Sequence, residues 1–262
     1  MIEIGIDPIA FLNVRWYSIM IALAILVGVL WMVREVRRGA NLSYDTIITA
    51  ALVGIPSAIV FSRLLHVIDK WDYYSQYPGQ IISGDGLSIP GAILGGALAI
   101  WIYSKFSNFQ FGYFADLIAP GLILAQAVGR VGCTINSCCY GIATSLPWGV
   151  VYTHPDSYAF SMGITYPSHP VVVYEIIYNL IVFGVLLKLR GRLKPDGSLF
   201  LVYLSLYAVW RFGSDFLREG TPFLFGLHQA QIISLIVLAI TIPLLIYRTR
   251  WVKAKARIGK AG

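Results

Sequence analysis

Six basic residues stand apart from the rest of the chain: Arg15, Arg63, Lys70, Arg130, Arg211 and Arg218. Five of the six are arginine, and each falls near the end of an apolar run. Arginine offers a planar fork of donors that grips phosphate bidentately, which a lysine ammonium does not. The acids Glu175, Asp215 and Glu219 lie close by in the chain. Such a set suits an anionic lipid headgroup, with ion pairs that steady helix ends as the structural alternative. Ionisable groups at membrane depth are costly and usually mark a pathway or site. Cys133, Cys138 and Cys139 fall within seven residues of one another. Their spacing lacks paired Cys-x-x-Cys elements, so no metal is expected. An outward-facing location permits a Cys133–Cys138 disulfide, with Cys139 left free.

The elements that must position these residues are membrane helices. The 262-residue chain is 57% hydrophobic and only 13% charged, with mean hydropathy +0.71. A soluble domain is about 25% charged, so a water-soluble globule, a disordered chain and a nucleic-acid-binding module are poor fits despite the net charge of +7. Seven apolar runs are long enough to span: Tyr17–Val33, Thr46–Phe61, Ser88–Tyr103, Phe114–Val128, Val171–Leu187, Leu199–Gly213 and Gln231–Tyr247. They are solidly apolar rather than alternating, which argues against a barrel. The expected fold is an all-α membrane protein of about seven transmembrane helices. Gly91-Ala92 and Gly95-Gly96 make a small-residue packing face. Basic residues concentrate after runs one, three, five and seven, 14 of the 20 in all. The positive-inside rule then places the N-terminus outside and the C-terminus in the cytoplasm.

The first 14 residues carry Glu3 and Asp7 but no Lys or Arg, the reverse of a signal peptide. They are expected to form a short extracytoplasmic segment, an interfacial helix. The whole of 1–262 reads as one polytopic domain. Segments 67–87 and 131–170 are expected to form a small extracytoplasmic head, with irregular or short-strand structure around Trp148–Tyr152.

Gly129-Arg130-Val131-Gly132-Cys133, continuing through Asn136 and Cys138 to Gly141, resembles the signature of the bacterial prolipoprotein diacylglyceryl transferases. Arg15-Trp16-Tyr17 resembles that family's Trp-Tyr at the first span. Tyr166-Pro167-Ser168-His169-Pro170 with Tyr174-Glu175 resembles its His-Pro-x-x-x-Tyr-Glu element. Tyr207-Ala208-Val209-Trp210-Arg211, with Asp215 and Arg218 behind it, resembles its sixth-span motif, and Gln231-Ile232-Ile233-Ser234 the start of its last span. The resemblance implies a multi-pass enzyme of the bacterial inner membrane with no cofactor. It implies transfer of the diacylglyceryl group of phosphatidylglycerol to the lipobox cysteine of a prolipoprotein, giving a thioether and glycerol phosphate. The partners implied are phosphatidylglycerol, the prolipoprotein signal peptide and membrane lipid.

Carried over residue by residue, Arg130, Arg211, Tyr17 and His169 become the expected catalytic residues. Arg63, Tyr207, Asp215, Arg218, Asn136, Gly141 and Glu175 become expected substrate contacts. The family's His, Asn and Glu positions are Pro90, Cys133 and Cys138 here. His169, His66 and Asp215 are the candidate replacements for the base. These departures also admit a divergent superfamily member that acts on another acceptor, and a non-enzymatic lipid-binding accessory protein.

Overall fold

Each of the seven apolar runs folds as a helix. In the computed structural model, residues 1–82, 86, 88–220 and 222–252 are described. Asp85 of the expected head and Lys253, Lys255, Arg257 and Lys260 of the basic C-terminal cluster lie outside them. In chain order come β1 (Ile2–Ile4), β2 (Ile9–Phe11), β3 (Val14–Arg15), α1 (Trp16–Arg37), α2 (Tyr44–Asp69), α3 (Trp71–Gln76), α4 (Ile89–Phe106) and α5 (Phe111–Asn136). They are followed by β4 (Val150–Tyr152), α6 (Tyr158–Ser161), α7 (Val171–Leu189), β5 (Leu193–Lys194), α8 (Ser198–Ser214), α9 (Gln229–Arg248) and β6 (Arg250–Trp251). Among the described residues, α1, α2, α5, α7 and α9 are long and apolar enough to cross a membrane. The protein is a helical membrane protein. The expected runs are shorter than the helices because polar ends extend them: α5 continues eight residues past Val128.

The chain divides into two compact units, residues 1–31 with 115–262, and residues 32–114. In the second, α2 and α4 meet along the glycine seam. A Cβ at Gly91 would fall 2.5 Å from the Phe61 carbonyl oxygen, and one at Gly54 would fall 3.3 Å from Ile100. The close approach lets Ser57 Oγ donate to the Gly95 carbonyl at 3.0 Å and Ser62 Oγ to the Ser88 carbonyl at 2.8 Å. Helices that pack in lipid are held by such small-residue contacts and interhelical hydrogen bonds.

In the first unit, α5, α7 and α8 share a core of Ala119, Ile123, Val182, Leu186, Leu199 and Tyr203. Asp116 on α5 accepts the backbone N–H groups of Gly197 and Phe200, both at 2.8 Å, and so caps the start of α8. Ser205 on α8 donates to Thr241 on α9 at 2.8 Å.

The N-terminal segment is β structure, not the expected interfacial helix. β1 pairs in parallel with β4, Ile2 opposite Val150 and Ile4 opposite Tyr152. Ile4 thereby packs onto the small core of Val150, Tyr152 and Ala159. Burial of that alternating isoleucine favours a strand over a lipid-facing helix. The strand expected near Trp148–Tyr152 is β4. Leu12 and Asn13 both take positive φ, 45° and 64°, in the two-residue turn between β2 and β3, which leads directly into Trp16-Tyr17 of α1.

Candidate active site

The last two turns of α5 carry Arg130 and Cys133. They stay helical because Gly132 admits α1: a Cβ there would stand 2.9 Å from Met20 Cβ and 3.1 Å from Tyr17 Cα. The segment Gly129–Gly141, which begins beyond the expected Phe114–Val128 run, is therefore helix up to Asn136. Ser137 then turns the chain with φ 54°, at the left-handed position that usually falls to Gly or Asn. Its side chain is fully buried, and its Oγ accepts the Ala159 N–H at 2.9 Å, which holds the turn.

That turn folds Cys138 and Cys139 back beside Cys133. All three sulfur atoms lie within 4.8 Å of one another, and those of Cys138 and Cys139 are 3.8 Å apart. The expected Cys133–Cys138 disulfide is not formed, and all three are free thiols. The 3.8 Å between Cys138 and Cys139 is far longer than an S–S bond of about 2.05 Å. Arg130 Nη1 lies 3.8 Å from Cys133 Sγ and 3.9 Å from Cys139 Sγ. Hydrogen bonds from Cys133 and Cys138 push the Cys139 pKa far below the ordinary thiol range, with Arg218 and Arg130 adding to the effect. The same mutual contacts and burial push Cys138 far up.

Glu175, at the start of the second turn of α7, is the hub. Its side chain is 0% exposed, against 13% for Arg130 and 10% for Arg218. Oε1 accepts from Arg130 Nε at 2.8 Å and from the Tyr207 hydroxyl at 3.4 Å, while Oε2 accepts from Arg218 Nη2 at 2.8 Å. Loss of one partner of such a buried pair costs about 3–5 kcal/mol. Tyr207 and Arg211 sit one turn apart on α8. Arg211 Nη2 pairs with Asp215 Oδ1 at 3.1 Å, and Asp215 Oδ2 lies 2.9 Å from His228 Nδ1. His228 precedes α9, where its backbone N–H donates to Gln231 Oε1 at 2.9 Å.

Arg130, Arg211 and Arg218 stand among the carboxylates Glu175 and Asp215, and Glu219 also lines the cavity beside them. Arg211 Nη1 and Arg218 Nε are buried and have no hydrogen-bond partner among the described residues. Beside them opens a cavity of about 380 Å³, lined by Arg211, Arg218, Asp215, His228, Cys138 and Cys139 among others. Arginines that line a polar cavity and still hold buried donors without a partner among the described residues suit an anion, since unpaired donors are otherwise costly.

The structure thus brings together Arg130, Glu175, Tyr207, Arg211, Asp215 and Arg218. Tyr17 lies within electrostatic range of Arg130 and the three cysteines. Asn136 accepts from Arg15 Nη1 at 3.0 Å, so it anchors the start of α1. Gly141 is where three segments touch: a Cβ there would stand 2.6 Å from the His169 carbonyl oxygen and 2.7 Å from that of Leu217. His169 packs edge-on against Tyr174, with Nδ1 buried and unpartnered among the described residues. Arg63 belongs to the other unit. There its Nε and both Nη atoms donate to the carbonyls of Ile81, Gly86 and Gln80, clamping that loop. His66, in the same unit, lies edge-on to Tyr74. His228 carried no sequence signal beyond its place three residues before Gln231, and only the fold pairs it with Asp215.

The family profile described as prolipoprotein diacylglyceryl transferase matches residues 6–247. A phosphatidylglycerol–prolipoprotein diacylglyceryl transferase of Dehalococcoides mccartyi strain 195 is 49% identical over 254 residues, 95% of this chain and 96% of the relative. One of the same name from D. mccartyi strain BAV1 is 48% identical over 262 residues, 98% of this chain and 100% of the relative. Another from Clostridioides difficile strain 630 is 36% identical over 236 residues, 88% of this chain and 90% of the relative. The matches span every element that builds the arginine–carboxylate cluster, and the chain belongs to the prolipoprotein diacylglyceryl transferase family.

Proposed function

We propose that the cavity beside Arg211 and Arg218 holds the phosphate of phosphatidylglycerol while a lipobox thiol displaces it. The protein is a phosphatidylglycerol–prolipoprotein diacylglyceryl transferase, consistent with relatives of that name along its whole length. The observation that carries the site assignment is that Arg211 and Arg218, which both line the cavity, each hold a buried donor, Nη1 and Nε, without a partner among the described residues. In the reaction, the cysteine sulfur forms a bond to the diacylglyceryl carbon and that carbon's bond to the phosphate oxygen breaks. Glycerol phosphate leaves with the electron pair, and the two guanidiniums meet the charge as it develops. Arg130 and Glu175 hold Arg218 in place from behind.

The thiol must lose its proton, because the thiolate is the nucleophile. We assign the proton acceptor to His228. With Nδ1–H donated to Asp215, Nε2 is left free to accept. Asp215 then orients the imidazole, and His169 supports the Gly141 contact.

The basic-residue distribution supports seven spans in the bacterial inner membrane, N-terminus outside and C-terminus in the cytoplasm, with the head and the signal-peptide approach on the outer side. The test is purified protein in phosphatidylglycerol vesicles with a lipobox peptide, followed by mass spectrometry. A diacylglyceryl mass gain on the cysteine is expected. Unimpaired lipid binding with no mass gain overturns the transferase assignment in favour of a lipid-binding accessory role.

A further inference from the structure

We propose that Cys133, Cys138 and Cys139 form a binding site for one thiophilic metal ion of the zinc(II) class. The sequence spacing speaks against it, but the fold does not follow the spacing. The left-handed turn at Ser137 brings sulfurs from the last turn of α5 and from the segment after it to within 4.8 Å of one another. Three thiolates on an ion at a bond length of about 2.3 Å stand about 3.8–4.0 Å apart. The Cys138–Cys139 separation is already 3.8 Å, and Cys133 Sγ lies within 4.8 Å of both. Every cysteine in the chain is in this cluster.

Charge and surroundings agree. A divalent ion with three thiolates carries a net charge of −1, and the Arg130 guanidinium that would balance it already lies 3.8 Å and 3.9 Å from two of the sulfurs. Partners in the outer shell of this kind orient and tune ligands in metal sites. Cys133 is buried, and Cys138 and Cys139 line the cavity next to Arg211 and Arg218. A three-ligand set with one side open to a cavity is the arrangement of zinc sites that keep a fourth position for water or another ligand. Metal uptake by thiols releases their protons to solvent. The three-thiol geometry also explains why an odd number of cysteines is gathered here, which a disulfide would not use.

The test uses the full chain in detergent, reduced and freed of metal by a chelator. Cadmium(II) is the spectroscopic probe. A thiolate-to-cadmium charge-transfer band is expected to saturate at one ion per chain, to be competed by zinc(II), and to need each of the three thiols. Cys133→Ser, Cys138→Ser and Cys139→Ser should each weaken binding by about 10-fold or more. The wild-type chain supplies a readout independent of variant folding: saturating zinc(II) should protect all three thiols from iodoacetamide, counted by mass spectrometry. The proposal falls if no band saturates at one equivalent, or if any one thiol is alkylated at the metal-free rate with zinc(II) present. Neither measurement involves lipid transfer, so the result stands apart from that of the transferase assay.

Discussion

Arg211 and Arg218 each engage a carboxylate with one nitrogen, line the cavity, and hold another buried donor without a partner among the described residues. Arg211→Lys keeps a positive charge but loses the planar fork. Its turnover in the peptide lipidation assay is expected to fall about 100-fold, the usual cost of one donor to developing charge, with the melting temperature little changed. A rate near wild type would remove Arg211 from the reaction. His228→Ala is expected to lower turnover by 10²-fold or more, the range for a general base. His169→Gln should keep most of the wild-type rate in the same assay, and a loss as large as that of His228→Ala would move the base to His169. The arginines and their acids were legible in the sequence, because a charge at the edge of an apolar run needs a reason to be there. Their partners were not. Glu175 binds Arg130 and Arg218, which are 45 and 43 residues away, and nothing local encodes that. Arg63 looked like the others in sequence, yet its donors hold a loop.

Helix α5 shows what an element adds to its residues. Gly129-Arg130-Val131-Gly132 has the look of a loop, two glycines around a charge, but Gly132 faces α1 and the backbone stays helical. Apolar runs were readable because lipid demands them; their polar extensions depend on what packs beside them, which local patterns omit. Gly132→Leu is expected to push α1 from α5 and lower stability by about 1–3 kcal/mol, read as a lower melting temperature with activity lost in parallel. A change in activity alone would mean the contact serves the site rather than the helix pair. Asp116→Ala leaves the Gly197 and Phe200 N–H groups without their acceptor. A loss of about 0.5–2 kcal/mol is expected with turnover per folded molecule unchanged, because the cap lies far along α8 from Arg211.

At the scale of the whole molecule, composition alone was enough to call for a bilayer, while the β structure of the first 15 residues was hidden, because Ile2–Ile4 becomes a strand only when Val150–Tyr152 is there to receive it. The proposed orientation is checked in a chain whose natural cysteines are serine. Leu146→Cys should react with an impermeant maleimide in intact cells, and Arg192→Cys only after the membrane is opened; both positions are exposed. The reverse pattern would invert the topology. The parallel pairing of β1 with β4 also sets an order of events during synthesis. β1 leaves the ribosome well before its mate, which is translated only after α1, α2, α3, α4 and α5. The Ile2–Ile4 segment therefore has no partner strand until α5 has been made, and the closure around Tyr152 is a long-range event, of the kind that forms slowly.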